Sequence, residues 1–74
     1  MRAGNYQRKL SEAIRKRREA LRLSQERFAD LADMHRAYYS RLERGEVNVT
    51  VATLERICGT LKVSLADLAD DAGV

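Results

Sequence analysis

Arg36, Ala37, Ser40, Arg41 and Arg44 recur at helical spacing in the stretch from His35 to Arg44, so one short helix would carry three guanidinium groups on a single side. A major groove admits one helix, and an arginine on that helix can bind guanine through two parallel hydrogen bonds. Ala37 has no hydrogen-bonding group and suits apolar contact, for instance with a thymine methyl. On charge alone a solvated basic face is the commoner explanation. Two flanking features favour the groove. Ser24 and Gln25 open the preceding helix, where side chains and backbone N–H groups at a positive helix terminus can hold a phosphate. Glu46-Val47-Asn48-Val49-Thr50 follows as a short polar-ended loop able to grip the same backbone.

Such a face needs elements to hold it, and the pattern predicts an all-α, compact five-helix domain with helices at about 6–21, 25–32, 35–44, 51–61 and 65–70. In the first, Leu10, Ala13, Ile14, Arg17 and Leu21 fall at three- and four-residue steps, and Arg18 is the arginine best placed to flank a phosphate. Ser24 caps the second, Glu26 suits its dipole, and Phe28, Ala29 and Ala32 share a face with Leu31 beside them. Asp33 and Met34 supply a turn. Tyr39 and Leu42 form the inward pair of the third helix, and Gly45 stops it. Thr50 caps the fourth, with Val51, Leu54, Ile57, Cys58 and Leu61 on one side. Ser64 with Asp67 forms a capping box for the fifth. Residues 6–70 then make a single helix-turn-helix domain between a flexible start at 1–5 and a frayed end at 71–74.

With 74 residues there is room for one domain, and a core of that size gains from association. Proline is absent and glycine occurs four times, so the punctuation of an all-β fold is missing. Through Gly45 the chain carries 12 Lys and Arg against 6 Asp and Glu; beyond it the balance reverses to 2 against 5. Positive charge gathered on the candidate reading half suits a protein that approaches polyphosphate one way round. A lone Cys58 and a lone His35 are too little for a zinc site, and Cys58 reads as a small core residue. His35 has no serine or cysteine nucleophile placed to use it, and no glycine-rich phosphate loop appears, so neither enzymatic activity nor a cofactor is expected. No apolar run approaches a membrane span and the first ten residues lack a signal-peptide core, which places the chain in the cytoplasm.

From about Leu10 to Leu68 the chain resembles the phage-repressor and Cro-like helix-turn-helix family, also called xenobiotic-response-element-like regulators. The resemblance rests on Ile14-Arg15 and Arg18, Leu23-Ser24-Gln25, Phe28-Ala29, Ser40-Arg41-Leu42-Glu43-Arg44-Gly45, Leu54 and Leu61-Lys62-Val63-Ser64. Within that family, His35 to Ser40, Glu43-Arg44-Gly45 and Asn48-Val49-Thr50 are most similar to restriction–modification controller proteins, small dimeric regulators that bind operators and set transcription of the endonuclease operon. The resemblance implies double-stranded operator DNA as partner. It makes Arg36, Ala37 and Arg41 the base-reading positions and Ser24, Gln25, His35, Tyr38, Ser40, Arg44, Asn48 and Thr50 the positions that meet phosphates or groove edges. Val47 stands where arginine or lysine is frequent in the family, and Val49 replaces its usual proline.

One short helix reads too few base pairs to be selective, and helix-turn-helix proteins usually pair to set two recognition helices about 34 Å apart. A homodimer on a two-fold symmetric operator is therefore expected, with Leu61, Val63, Leu65 and Leu68 as interface candidates unless those leucines close the monomer core instead. No small-molecule ligand is expected. The competing class is an antitoxin or adaptor that uses the same fold mainly to hold a partner protein; it requires that the arginines of the third helix can be changed freely.

Overall fold

A computed structural model describes the backbone of residues 3–74 and the side chains from Tyr6 onward; expectations for residues 1 and 2 lie outside it. The described residues form five helices and no strand: α1 (Ala3–Ala20), α2 (Gln25–Leu31), α3 (Arg36–Glu43), α4 (Val51–Leu61) and α5 (Leu65–Ala72). Three starts carry the side-chain caps read from the sequence. Ser24 Oγ accepts from the Arg27 amide at 3.0 Å, Thr50 Oγ1 from the Thr53 amide at 3.1 Å, and Ser64 Oγ from the Asp67 amide at 2.9 Å. Asp67 completes the capping box by accepting from the Ser64 amide at 3.2 Å. Each of these bonds satisfies an amide that the helix itself leaves without a partner.

α1 packs against α3, α4 and α5, while α2 and α3 pack on each other and α4 on α5. The enclosed core takes Leu10, Ala13 and Ile14 from α1, Phe28 and Ala29 from α2 with Ala32 just beyond it, Tyr39 and Leu42 from α3, Leu54, Ile57, Cys58 and Leu61 from α4, and Leu68 from α5. The Phe28 and Tyr39 rings lie 4.9 Å apart at 37°, within the range of favourable aromatic contact, and join the two helices of the central pair. Between those helices Asp33 adopts φ 57, a left-handed conformation that aspartate tolerates better than most residues. The Met34 amide closes this turn onto Ala29 O at 2.8 Å, and Arg56 of α4 donates to Asp33 O at 3.1 Å.

Several boundaries and faces differ from the sequence reading. α1 begins at Ala3 and stops at Ala20, so Leu21 leaves the helix and stands half-exposed. Ala32, His35 and Arg44 become caps rather than helical residues. α5 runs to Ala72, where Gly73 in the left-handed region ends it, and Asp71 pairs with Arg17 of α1. Val51, expected on the inner side of α4, is exposed because it occupies the first turn, beyond the edge of the core. Leu61 and Leu68 are buried within the monomer, at 5% and 0% exposure, and have no surface to offer a second copy. Of the expected interface residues Leu65, at 38% exposure, faces outward, while Val63 is half-buried and packs against the core.

Since Leu68 is the only fully buried large side chain of α5, Leu68→Ala should cost about 2–5 kcal/mol of unfolding free energy in a urea titration. Cys58→Ala, a far smaller change in volume, should cost much less in the same titration.

Candidate nucleic-acid interface

Tyr39 and Leu42 sit in the core at 0% exposure, which turns the opposite side of α3 to solvent. Below them is a buried ionic cluster. Arg18 of α1 forms a two-pronged pair with Glu43 at the last residue of α3, Nε to Oε2 at 2.6 Å and Nη2 to Oε1 at 3.0 Å. Arg18 Nη1 also donates to Leu23 O at 2.7 Å, in the loop before α2. Gln25, the first residue of α2, donates to Glu43 Oε1 at 2.9 Å, and the Tyr39 hydroxyl donates to Glu43 Oε2. One carboxylate thus gathers groups from α1, α2 and α3. Ser11 of α1 adds a second tie, its buried hydroxyl reaching Leu42 O at 2.7 Å.

The cluster explains the protonation states within it. Burial pushes the Glu43 carboxyl up, but hydrogen bonds from Arg18, Tyr39 and Gln25 outweigh it and hold the group below its ordinary value of 4.5. The Glu43 contact raises Arg18 against the opposing effect of burial. Burial, joined by the adjacent carboxylate, drives the Tyr39 hydroxyl far above its ordinary range, so it remains a donor.

On the exposed side, Arg36, Ala37, Ser40, Arg41 and Arg44 line one shallow concavity of about 550 Å³, the same five residues that the helical spacing placed together. Arg44 donates through Nη1 to Ser40 Oγ at 3.0 Å and through Nε and Nη2 to Glu46 at 2.9 and 3.2 Å. His35 holds the N-cap position of α3 with no side-chain cap bond and is exposed. Tyr38 lies apart from the concavity, half-buried on the flank where Met34, His35, Thr53 and Arg56 meet. Ser24 is exposed at the start of α2, and Thr50 is exposed at the start of α4. Asn48 is exposed too, and its side-chain oxygen accepts from Gln7 of α1.

Two positions depart from the sequence expectation. Arg18 is no phosphate ligand, because at 8% exposure its guanidinium is committed to Glu43 and to the Leu23 carbonyl. Gln25 has its side-chain N–H turned inward to Glu43, which leaves its amide oxygen and backbone N–H for any outside contact. Sequence reasoning missed Glu43, Gln7 and Glu46 as structural partners. Arg18 follows Ile14 by four residues and Glu43 follows Tyr39 by four, so both lay on inward helix faces by the same periodicity that found the apolar core. Gln7 and Asn48 are 41 residues apart, and no local pattern joins them.

A helix-turn-helix family model matches residues 14–68. Control protein C.MunI of Mycoplasma sp is 41% identical over 71 residues, covering 96% of this chain and 88% of that protein. Control protein C.SmaI of Serratia marcescens is 37% identical over 65 residues, covering 88% and 77%. The crystal structure of the clp gene regulator ClgR from Corynebacterium glutamicum matches with a TM-score of 0.88 at 28% identity, covering 92% of this chain and 87% of that one. Among the described residues no helix is long and apolar enough to cross a membrane.

Glu43→Gln would remove the buried counter-charge of Arg18 and leave only exposed Glu19 at 4.0 Å, and should destabilise the fold by about 3 kcal/mol in urea unfolding. The pH dependence has a definite sign. With its folded value lowered, Glu43 contributes fully above its ordinary value of 4.5, and that contribution is lost as pH falls through the folded value. The melting temperature of the unsubstituted protein should therefore drop below about pH 4, and the gap to Glu43→Gln should narrow over the same interval.

Proposed function

This chain belongs to the helix-turn-helix family, of Cro/C1 type, and we propose that it acts as a sequence-specific transcriptional regulator that binds a two-fold symmetric operator as a homodimer. It is a DNA-binding regulator, similar to control proteins and to ClgR. The observation that carries the finer reading is the single exposed face of Arg36, Ala37, Ser40, Arg41 and Arg44 on a helix whose opposite face is locked into the core. A helix so held can enter a groove as a rigid body, with its guanidinium groups in a fixed register.

In this reading Arg36 and Arg41 take guanine edges and Ala37 an apolar base edge. Ser24, Gln25, His35, Tyr38, Ser40, Arg44, Asn48 and Thr50 position the protein on the duplex backbone and groove walls, Gln25 through its amide oxygen or backbone N–H. The dimer forms through exposed Leu65 and the remaining surface of half-buried Val63, at the corner between α4 and α5. Occupancy then follows dimer concentration and operator affinity, in the cytoplasm, as suits a restriction–modification controller protein.

Selection from randomised duplexes at near-physiological salt should recover a palindromic site. Arg36→Ala and Arg41→Ala should each lose about 1–3 kcal/mol on that site and relax preference at one base position of the half-site. Wild-type discrimination in both variants would refute base reading and favour the partner-protein role. In sedimentation, the protein should run as a dimer at micromolar concentration and Leu65→Asp as a monomer.

A further inference from the structure

Arg44 closes α3 as its C-cap, and the turn beyond it doubles back. Gly45 takes φ 73, its amide donates to Leu42 O at 3.0 Å, and the Glu46 amide donates to Arg41 O at 3.0 Å. This pair of bonds is a Schellman closure, which returns the chain over the last turn of the helix. It sets the Glu46 carboxylate on the same face as the arginines of α3. Both Glu46 oxygens accept from Arg44, at 2.9 and 3.2 Å, and one lies 4.0 Å from Arg41 Nε. The third nitrogen of Arg44 donates to Ser40 Oγ at 3.0 Å. All three guanidinium nitrogens of Arg44 are thus engaged by the chain itself.

We infer that Glu46 is a further affinity-determining residue of this interface: its carboxylate occupies the place of a duplex phosphate against Arg44 and so withholds that cation from the duplex. The inference rests on the DNA reading of the same face. A carboxylate and a phosphate offer arginine the same two-pronged acceptor geometry, so one guanidinium edge serves one of them at a time. An exposed pair of this kind adds little to folding, because water solvates either partner well. Its effect falls on association, where one cation is withheld from the duplex. The backbone closure keeps the competitor local and always present, so Glu46 lowers affinity for every duplex by a common factor. Discrimination between sequences remains with the residues that touch base edges.

The test is Glu46→Gln, titrated against the selected operator and a scrambled duplex across a range of salt, alone and with Arg44→Ala. One more phosphate neutralised steepens the salt slope by about 0.9 and tightens binding about fivefold at 0.15 M salt. Glu46→Gln should show that gain on both duplexes with an unchanged ratio between them, and most of the gain should vanish in the Arg44→Ala background. Unchanged or weakened binding, a changed ratio, or an equal gain without Arg44 would overturn the inference. Failure of the unsubstituted protein to bind any duplex would instead overturn the DNA reading, and this inference with it.

Discussion

The contact on which the architecture depends is the pair between Arg18 and Glu43. It draws α1, the start of α2 and the end of α3 to one point, through Arg18, Gln25, Tyr39 and the Leu23 carbonyl. Charges so far from water are stable only when every donor and acceptor is met, and here the carboxylate accepts from Arg18, Gln25 and Tyr39. An apolar cluster of the same volume would hold the helices with comparable strength but less directional constraint. The ionic cluster fixes the rotation of α3 about its own axis, because Glu43 can meet its three partners at only one setting. That rotation decides which residues of α3 face solvent, so the position of the basic face follows from a contact on the opposite side of the helix.

Around this point the remaining contacts limit movement at both ends of α3. At its start, the turn at Asp33 is held by Arg56 from α4, and the aromatic pair of Phe28 and Tyr39 keeps α2 against α3. At its end, Ser11 reaches the Leu42 carbonyl and Gly45 adopts a left-handed conformation close to Arg8 and Ser11. The loop that follows is tied to α1 through Gln7, which meets both Asn48 and the Val47 carbonyl. α1 therefore acts as a brace along the whole α2–α3 pair, from the loop before α2 to the loop after α3.

Much of this was legible in the residues. Helix count, caps and the five-residue exposed face came from local rules: a side-chain oxygen before an apolar period marks a start, and positions three and four apart share a side. The span of α4 matched in full, from Val51 to Leu61, since Thr50 and the left-handed Lys62 bound it at either end. The ionic cluster escaped because helical periodicity can place a charged residue on an inward face without naming the distant partner that lets it be buried there. Arg18 and Glu43 are 25 residues apart, and only tertiary packing shows that each is the other's reason for being buried. The same limit applied to Leu61 and Leu68, whose apolar character suits a subunit interface and a core equally well.

The exposed residues of α3 are separated from the groups that hold it. Arg36, Ala37 and Arg41 point to solvent and make no contact on which the core relies, whereas Tyr39, Leu42 and Glu43 are wholly committed to it. Exposed and buried positions interleave along eight residues of one helix, yet their obligations barely overlap. Substitutions on the outer set can accumulate without eroding the scaffold, so the chemistry of this face is free to change in small steps. The framework is in this sense a socket with an interchangeable key, and its evolvability lies in the rigidity of the part that does not change.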